Sequence, residues 1–327
     1  MYPQRRLRRL RKRTIQPLFR ETVLTKDDLI MPVFFDETIT EAVPIASMPG
    51  QFRYPVEMAA QVAGEIRDAG LRAMILFGIP KEKDSEARSA YAEDGVIQRA
   101  VRAIKAAVPS MVVITDLCAC EYTDHGHCGI VGETSGGMDL LNDPSLEVMR
   151  EIAVSQAESG ADMVAPSCML DGMVASIRDA LDEAGFEDVP IMSYSTKFAS
   201  ALYGPFRDAA DSGYSYGDRS TYQMSPSNAR EALLESETDA LEGADILMVK
   251  PAGLYLDVLA DVAGLGLPVA AYQVSGEYSM IKAASENGWL DEKKTVMESL
   301  VCIKRAGADL IITYYALDVA RWLDEKQ

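Results

Sequence analysis

A chain of 327 residues that is 48% hydrophobic and 25% charged, with 23 glycines and 15 prolines, has the composition of a packed globular protein and excludes a disordered, collagen-like or low-complexity one. Its length suits two ordinary domains or a single α/β barrel. The formal charge of −18 is unevenly spread: residues 1–20 hold eight basic side chains and no acid, leaving 24 basic against 50 acidic residues, a formal −26, in the remainder. A body this acidic repels nucleic acid and anionic membranes at long range. Only the arm of Arg5, Arg6, Arg8, Arg9, Arg11, Lys12, Arg13 and Arg20 is suited to phosphates, and no nucleic-acid-reading motif accompanies it. Docking on an acidic neighbouring subunit is its simpler use, which predicts a homo-oligomer. No run approaches the 18 or so apolar residues of a membrane span, and no apolar segment backs the N-terminal charges, so a soluble, cytoplasmic protein is expected.

Past an arm of residues 1–25, short β-branched apolar runs alternate with amphipathic stretches. The predicted strands are 29–35, 72–77, 112–115, 162–165, 190–194, 245–249, 268–273 and 309–314, and the clearest predicted helices 56–69, 96–108, 144–159, 172–184, 227–242 and 293–306. Near-continuous apolar strands are those buried on both faces. Gly70, Gly160, Gly185, Gly243 and Gly307 each stand where a helix stops before a strand, the position that favours a left-handed residue. Eight such units over 26–327 predict a (β/α)8 barrel. An open doubly wound sheet is the alternative, but no G-x-G-x-x-G follows any strand.

Barrel chemistry sits at the C-terminal strand ends, which here offer Asp116, Cys118, Ser167, Lys197, Lys250, Ser275 and Tyr314. Either lysine alone suits a side chain reaching from the barrel mouth to water. Two on neighbouring strand ends depress each other's pKa and free a neutral amine, pointing to carbonyl chemistry through imines. Segment 116–129 holds Cys118, Cys120 and Cys128 with both histidines of the chain, His125 and His127. Soft thiolates at this spacing select zinc, with a histidine as fourth ligand if the site is structural, or an open position if it is catalytic; buried structural thiols are the simpler alternative. Segment 203–222, rich in Gly and Tyr, reads as a lid whose Arg207 and Arg219 clamp carboxylates, or as a surface loop pairing them with Asp208, Asp211 and Asp218.

These residues resemble the 5-aminolevulinate dehydratase (porphobilinogen synthase) family over nearly the whole chain. The resemblance runs through Met31-Pro-Val-Phe, Asp116-Leu-Cys-Ala-Cys, His125-Gly-His-Cys-Gly, Ala165-Pro-Ser, Ser193-Tyr-Ser-Thr-Lys-Phe-Ala-Ser, Tyr203-Gly-Pro-Phe-Arg-Asp, Met248-Val-Lys-Pro, Tyr272-Gln-Val-Ser-Gly-Glu and Ile311-Ile-Thr-Tyr-Tyr. It implies a (β/α)8 barrel with an N-terminal arm, assembled as a homo-octamer. The implied reaction condenses two 5-aminolevulinate molecules to porphobilinogen, with loss of two waters, in haem and chlorophyll biosynthesis. Lys250 then matches the lysine forming the imine with the first-bound substrate, and Lys197 the one binding the second. Ser275 and Tyr314 match the groups on the first carboxylate, while Asp116 and Ser167 match positions near its amino group. Arg207, Arg219 and Gln223 match those on the second carboxylate, with Tyr203 and Phe206 in the same substrate-binding set. Cys118, Cys120 and Cys128 match the catalytic zinc ligands, and Glu235 the carboxylate of an allosteric magnesium site, though it also reads as one acid on a solvated helix face. Cys168 departs from the pattern, standing where many members carry an acid. A one-lysine aldolase-type lyase and a zinc-dependent nucleic-acid-binding protein using residues 5–13 are the competing readings.

Overall fold

The computed structural model describes residues 6–135, 137–213 and 219–325; Arg5 and Asp218, named above, lie outside them. Eight parallel strands form one sheet: β1 (Leu29–Asp36), β2 (Ala73–Ile79), β3 (Val112–Leu117), β4 (Met163–Pro166), β5 (Met192–Lys197), β6 (Ile246–Lys250), β7 (Val269–Gln273) and β8 (Leu310–Thr313). Their spatial order is β4-β3-β2-β1-β8-β7-β6-β5. A single parallel bridge between Val164 and Ile191 joins the two ends, with the Val164 N–H donating to the Pro190 carbonyl at 3.1 Å. The sheet is thereby closed, and the predicted (β/α)8 barrel is the fold. β1 and β7 are buried along their whole length, as strands covered by helices outside and side chains inside must be.

Helices Ala59–Asp68, Val96–Ala107, Asn142–Glu158, Met173–Glu183, Ala229–Glu242, Leu256–Val262, Glu292–Arg305 and Ala316–Asp324 supply the outer ring. The five helix-ending glycines all have positive φ, from 83° at Gly185 to 121° at Gly307. Six predicted strands stop short of the real ones, most consequentially where β3 runs on through Asp116 and β5 runs on to Lys197. Conversely β8 ends at Thr313, so Tyr314 begins the following turn instead of closing the strand. Absent from the expectation are helix Ser275–Glu286 and the antiparallel hairpin Val131–Thr134 with Gly137–Leu140. The arm holds helix Arg6–Leu10 and a turn at Gln16–Phe19, and Leu24 is buried against the barrel. Among the described residues no helix is long and apolar enough to cross a membrane.

Candidate active site

The two lysines owe their meeting to a bulge. Ile246 pairs with Met192 and Leu247 with Ser193, an offset that would set Lys250 against Thr196; the register shifts by one, and Lys250 pairs with Lys197. Such a shift moves a side chain to the other face of the sheet. Ser195 and Thr196 both turn outward to Ser236 of helix Ala229–Glu242, at 3.2 and 2.9 Å, so Lys197 falls inward. On β3 ordinary alternation does the same work: Thr115 donates outward to Gln156 at 2.7 Å, and Asp116 faces the lumen.

The Lys250 amine lies over four aromatic rings, 4.3 Å from the centroid of Tyr272, 4.9 Å from Tyr194, 5.2 Å from Phe206 and 5.4 Å from Tyr203. The Tyr203 hydroxyl donates to the Lys250 carbonyl at 3.2 Å. Burial, and then the neighbouring Lys197, push the Lys250 amine down to about 7. Lys197 behaves otherwise. Burial pushes its amine down, but the sulfurs of Cys128, Cys118 and Cys120 push it up further, and the net direction is upward. Lys250 is thus the amine that is freed, while the Lys197 amine donates to the Ser167 carbonyl at 2.5 Å. The Ser167 hydroxyl donates to Asp116 at 3.1 Å. Burial and then Glu121 push the Asp116 carboxyl up to about 7 against the pull of both lysines.

One cavity is lined by Asp116, Ser167, Lys197, Tyr203, Phe206, Arg207, Arg219 and Lys250, with Cys120, Glu121 and Phe77. Lys197, Arg207 and Arg219 thus converge with Lys250 inside a strongly acidic protein, a local field that favours an anionic ligand. Of the other expected substrate contacts, Ser275 stands one layer back, accepting from the Phe206 N–H at 3.0 Å and donating to the Leu202 carbonyl at 3.3 Å. The Tyr314 hydroxyl meets that of Tyr272 at 3.1 Å, and Gln223 is buried behind Arg219, bonded to it through the backbone at 2.9 Å. Segment 203–222, of which 214–218 lie outside the described residues, opens with helix Gly204–Ala209, and Arg219 is buried and donates to the carbonyls of Gly126 and Ser212 at 2.8 and 3.0 Å. Asp208 takes a hydrogen bond from Ser47 at 2.6 Å and Asp211 an ion pair from Lys83 at 2.9 Å, so these acids serve other partners than the loop reading assigned them.

Cys118, Cys120 and Cys128 are free, buried thiols whose sulfurs all lie within 4.8 Å of one another, with Cys118 and Cys120 at 3.2 Å. Hydrogen bonds from Cys118 and then Cys120 hold the Cys128 thiol below its ordinary range. Three converging soft donors fit zinc. Among the described residues, the other such group is Asp116, Cys118 and Glu121, and neither histidine joins either group. His127 meets the Tyr222 hydroxyl at 3.1 Å instead, so the structural four-ligand site with histidine is not formed. Glu235 lies elsewhere, in a surface pocket with Asp139, Asp171 and Glu231; burial, then Asp171 and Glu231, push its carboxyl up.

Sequence reasoning missed Glu121, which is buried and 3.2 Å from the Cys120 sulfur, and the rings of Tyr194 and Tyr272. An acid inside an otherwise buried cysteine segment was the available signal for the first. It also missed the close approach of two backbones just before segment 203–222: a Cβ on Gly276, in the first turn of helix Ser275–Glu286, would meet the Leu202 carbonyl oxygen at 2.5 Å and its Cα at 2.8 Å. Gly276→Ala is expected to lower stability by about 1–3 kcal/mol, as overpacking against backbone does, and to raise KM more than it lowers kcat. Urea unfolding and steady-state kinetics measure both; a variant with unchanged midpoint and KM would show that this contact carries no weight.

Comparison with known proteins agrees with this geometry. The family profile described as delta-aminolevulinic acid dehydratase matches residues 4–322. The chain is 55% identical over 327 residues to the delta-aminolevulinic acid dehydratase of Synechococcus elongatus, covering 99% of this chain and 100% of that one. It is 56% identical over 323 residues to that of Archaeoglobus fulgidus, covering 98% and 99%. A solved structure of delta-aminolevulinic acid dehydratase from Toxoplasma gondii, in complex with the reaction product porphobilinogen, superposes with a TM-score of 0.94 at 45% identity, covering 98% of this chain and 91% of that one. By profile, by identity along its full length and by fold, this chain belongs to the delta-aminolevulinic acid dehydratase family.

Proposed function

We propose that this protein is a porphobilinogen synthase, a lyase of tetrapyrrole biosynthesis that joins two 5-aminolevulinate molecules into porphobilinogen and releases two waters. The observation that carries this reading is the pairing of Lys250 with Lys197 across adjacent strand ends, in one cavity.

The neutral Lys250 amine attacks the ketone carbon of one substrate; loss of water gives an imine, which makes the neighbouring carbon acidic enough to yield an enamine. The four rings around the amine exclude water from that imine. Lys197 holds the second substrate by the same chemistry, and tethering both turns a three-body encounter into an intramolecular one. Asp116 and Ser167 form a hydrogen-bonded pair suited to a substrate amino group and to holding a proton near neutral pH. Arg207 and Arg219, with Gln223 behind, suit the second carboxylate, while Ser275 and Tyr314 suit the first once the lid shifts away from Ser275. Cys118, Cys120 and Cys128 would hold zinc, which supplies a Lewis acid on the side of the cavity that Cys120 lines.

Glu235 shares its surface pocket with Asp139, Asp171 and Glu231, surroundings that suit a hydrated magnesium bound through one or two acids, the allosteric site of our reading. Leu18, Phe19 and Val23 of the arm are 78%, 54% and 54% exposed, supporting its use as a docking element in a homo-oligomer, for which we propose the octamer. A cytoplasmic location fits this role.

The test is pyrrole formation from 5-aminolevulinate, beside borohydride reduction of the mixture. Product is expected, with substrate mass added on Lys250 and, when both sites fill, on Lys197. Absence of product with neither lysine modified rejects the reading; modification of one lysine with cleavage of an aldol substrate favours the aldolase alternative.

A further inference from the structure

Ser236 lies outside the sheet, on helix Ala229–Glu242, and does not line the cavity, yet it is bonded to the strand that carries Lys197. It is fully buried; its hydroxyl donates to that of Ser195 at 3.2 Å and meets that of Thr196 at 2.9 Å. We infer that Ser236 is a positioning residue for Lys197, holding two consecutive side chains of β5 on the outer face of the sheet so that the amine beyond them is aimed into the cavity.

The side chains of a regular strand alternate between its two faces. In β5 Ser193 faces outward, donating to Asp239 of the same helix, and Tyr194 faces inward, its ring centroid 4.9 Å from the Lys250 amine and 5.5 Å from that of Lys197. Strict alternation from there would turn Thr196 into the lumen and Lys197 out of it. Instead Ser195 and Thr196 both face the helix, and Lys197 lines the cavity. The extra residue is accommodated where the register slips: Leu247 pairs with Ser193 and Val249 with Thr196, leaving Tyr194 and Ser195 opposite Met248 alone. The Met248 N–H donates to the Ser195 hydroxyl at 3.3 Å, and the Thr196 hydroxyl donates to the Ala232 carbonyl at 3.2 Å, one turn before Ser236. Side-chain hydroxyls thus fasten the bulge where the backbone ladder is interrupted, and Ser236 touches both that face outward. Without it two buried hydroxyls lose a partner, and the outward turn of Thr196, on which the aim of Lys197 depends, is less favoured.

The inference rests on the two-imine reading of the site, and its test separates the two. Borohydride reduction with saturating 5-aminolevulinate, read by mass spectrometry, gives the ratio of adduct on Lys197 to adduct on Lys250. Ser236→Ala is expected to lower that ratio roughly fivefold or more, the factor that one lost hydrogen bond supplies, while Lys250 is labelled as in the parent. Thr196→Val, which keeps the β-branched shape and loses the same contact, is expected to do likewise and decides the matter if Ser236→Ala misfolds. Ser193→Ala breaks the bond between the same strand and the same helix ahead of the bulge; it is expected to lower Tm and leave the ratio unchanged. A parent-like ratio in the folded bulge variants, or an equal fall in Ser193→Ala, overturns the inference and leaves the two-imine reading standing. Adduct on neither lysine of the parent rejects that reading and the inference with it.

Discussion

Lys250→Met is expected to lower kcat by roughly 10⁴-fold or more and, at the same time, to stabilise the folded protein at pH 7. Both effects come from one cause. An ordinary lysine titrates near ~10.4 and offers a free amine in about one molecule in 2,500 at pH 7. Lys250, with its pKa pushed down to about 7, offers one in a large fraction of molecules. The fold bears the cost. Between about 7 and the ordinary value the unfolded chain binds a proton that the folded one does not, so stability rises with pH through that window and is penalised below it. Methionine fills the aromatic box without a charge and removes the penalty. Calorimetry should find the variant's Tm advantage at pH 7 shrinking towards pH 10, while parent activity falls as pH drops below about 7 because the nucleophile is protonated. Asp116 also titrates at about 7 beside it, so the acid limb belongs to the pair. A variant keeping turnover within tenfold of the parent, or a parent profile flat from pH 6 to 8, would sink the assignment of Lys250 as nucleophile.

The second large effect is expected from the sulfurs. The double substitution Cys118→Ala and Cys120→Ala should abolish zinc binding and lower turnover by roughly 10³-fold, the several kcal/mol that a Lewis acid contributes to a developing charge. Both sites are buried and their neighbours are free thiols, so the far-ultraviolet circular dichroism should stay unchanged. Chelation of the parent should reproduce the loss, with zinc restoring activity and magnesium failing to. Metal analysis of protein purified without chelator, beside the activity assay, checks each step; full activity in the double variant would refute the catalytic metal.

What was legible in the sequence follows from what local pattern encodes. Eight apolar runs and five helix-ending glycines are local signals, and they predicted the barrel because each reports burial or a left-handed turn at its own position. The lysines and cysteines were legible because strand ends are where a barrel keeps its chemistry. The hairpin at 131–140 was not, since its strands are short and glycine-bearing and bury no residue fully, with no apolar alternation to reveal them. Helix Ser275–Glu286 begins on a strand-end serine followed by glycine; what secures its start is Glu277, which accepts the N–H groups of Val274 and Gly253, each at 2.7 Å. The second of those comes from 24 residues upstream, beyond any local window. The unequal basicity of the lysines was likewise hidden, because it depends on which amine faces rings and which faces sulfur. Even their opposition depends on a one-residue bulge that no periodicity announces.

The barrel closes on a single backbone rung between Val164 and Ile191. The strands on either side of that seam, β4 and β5, lead into Ser167 and Lys197, and the Lys197 amine donates to the Ser167 carbonyl at 2.5 Å. A reactive side chain thus laces the joint that the backbone leaves thinnest, and the group that holds a substrate is also a fastening of the cylinder.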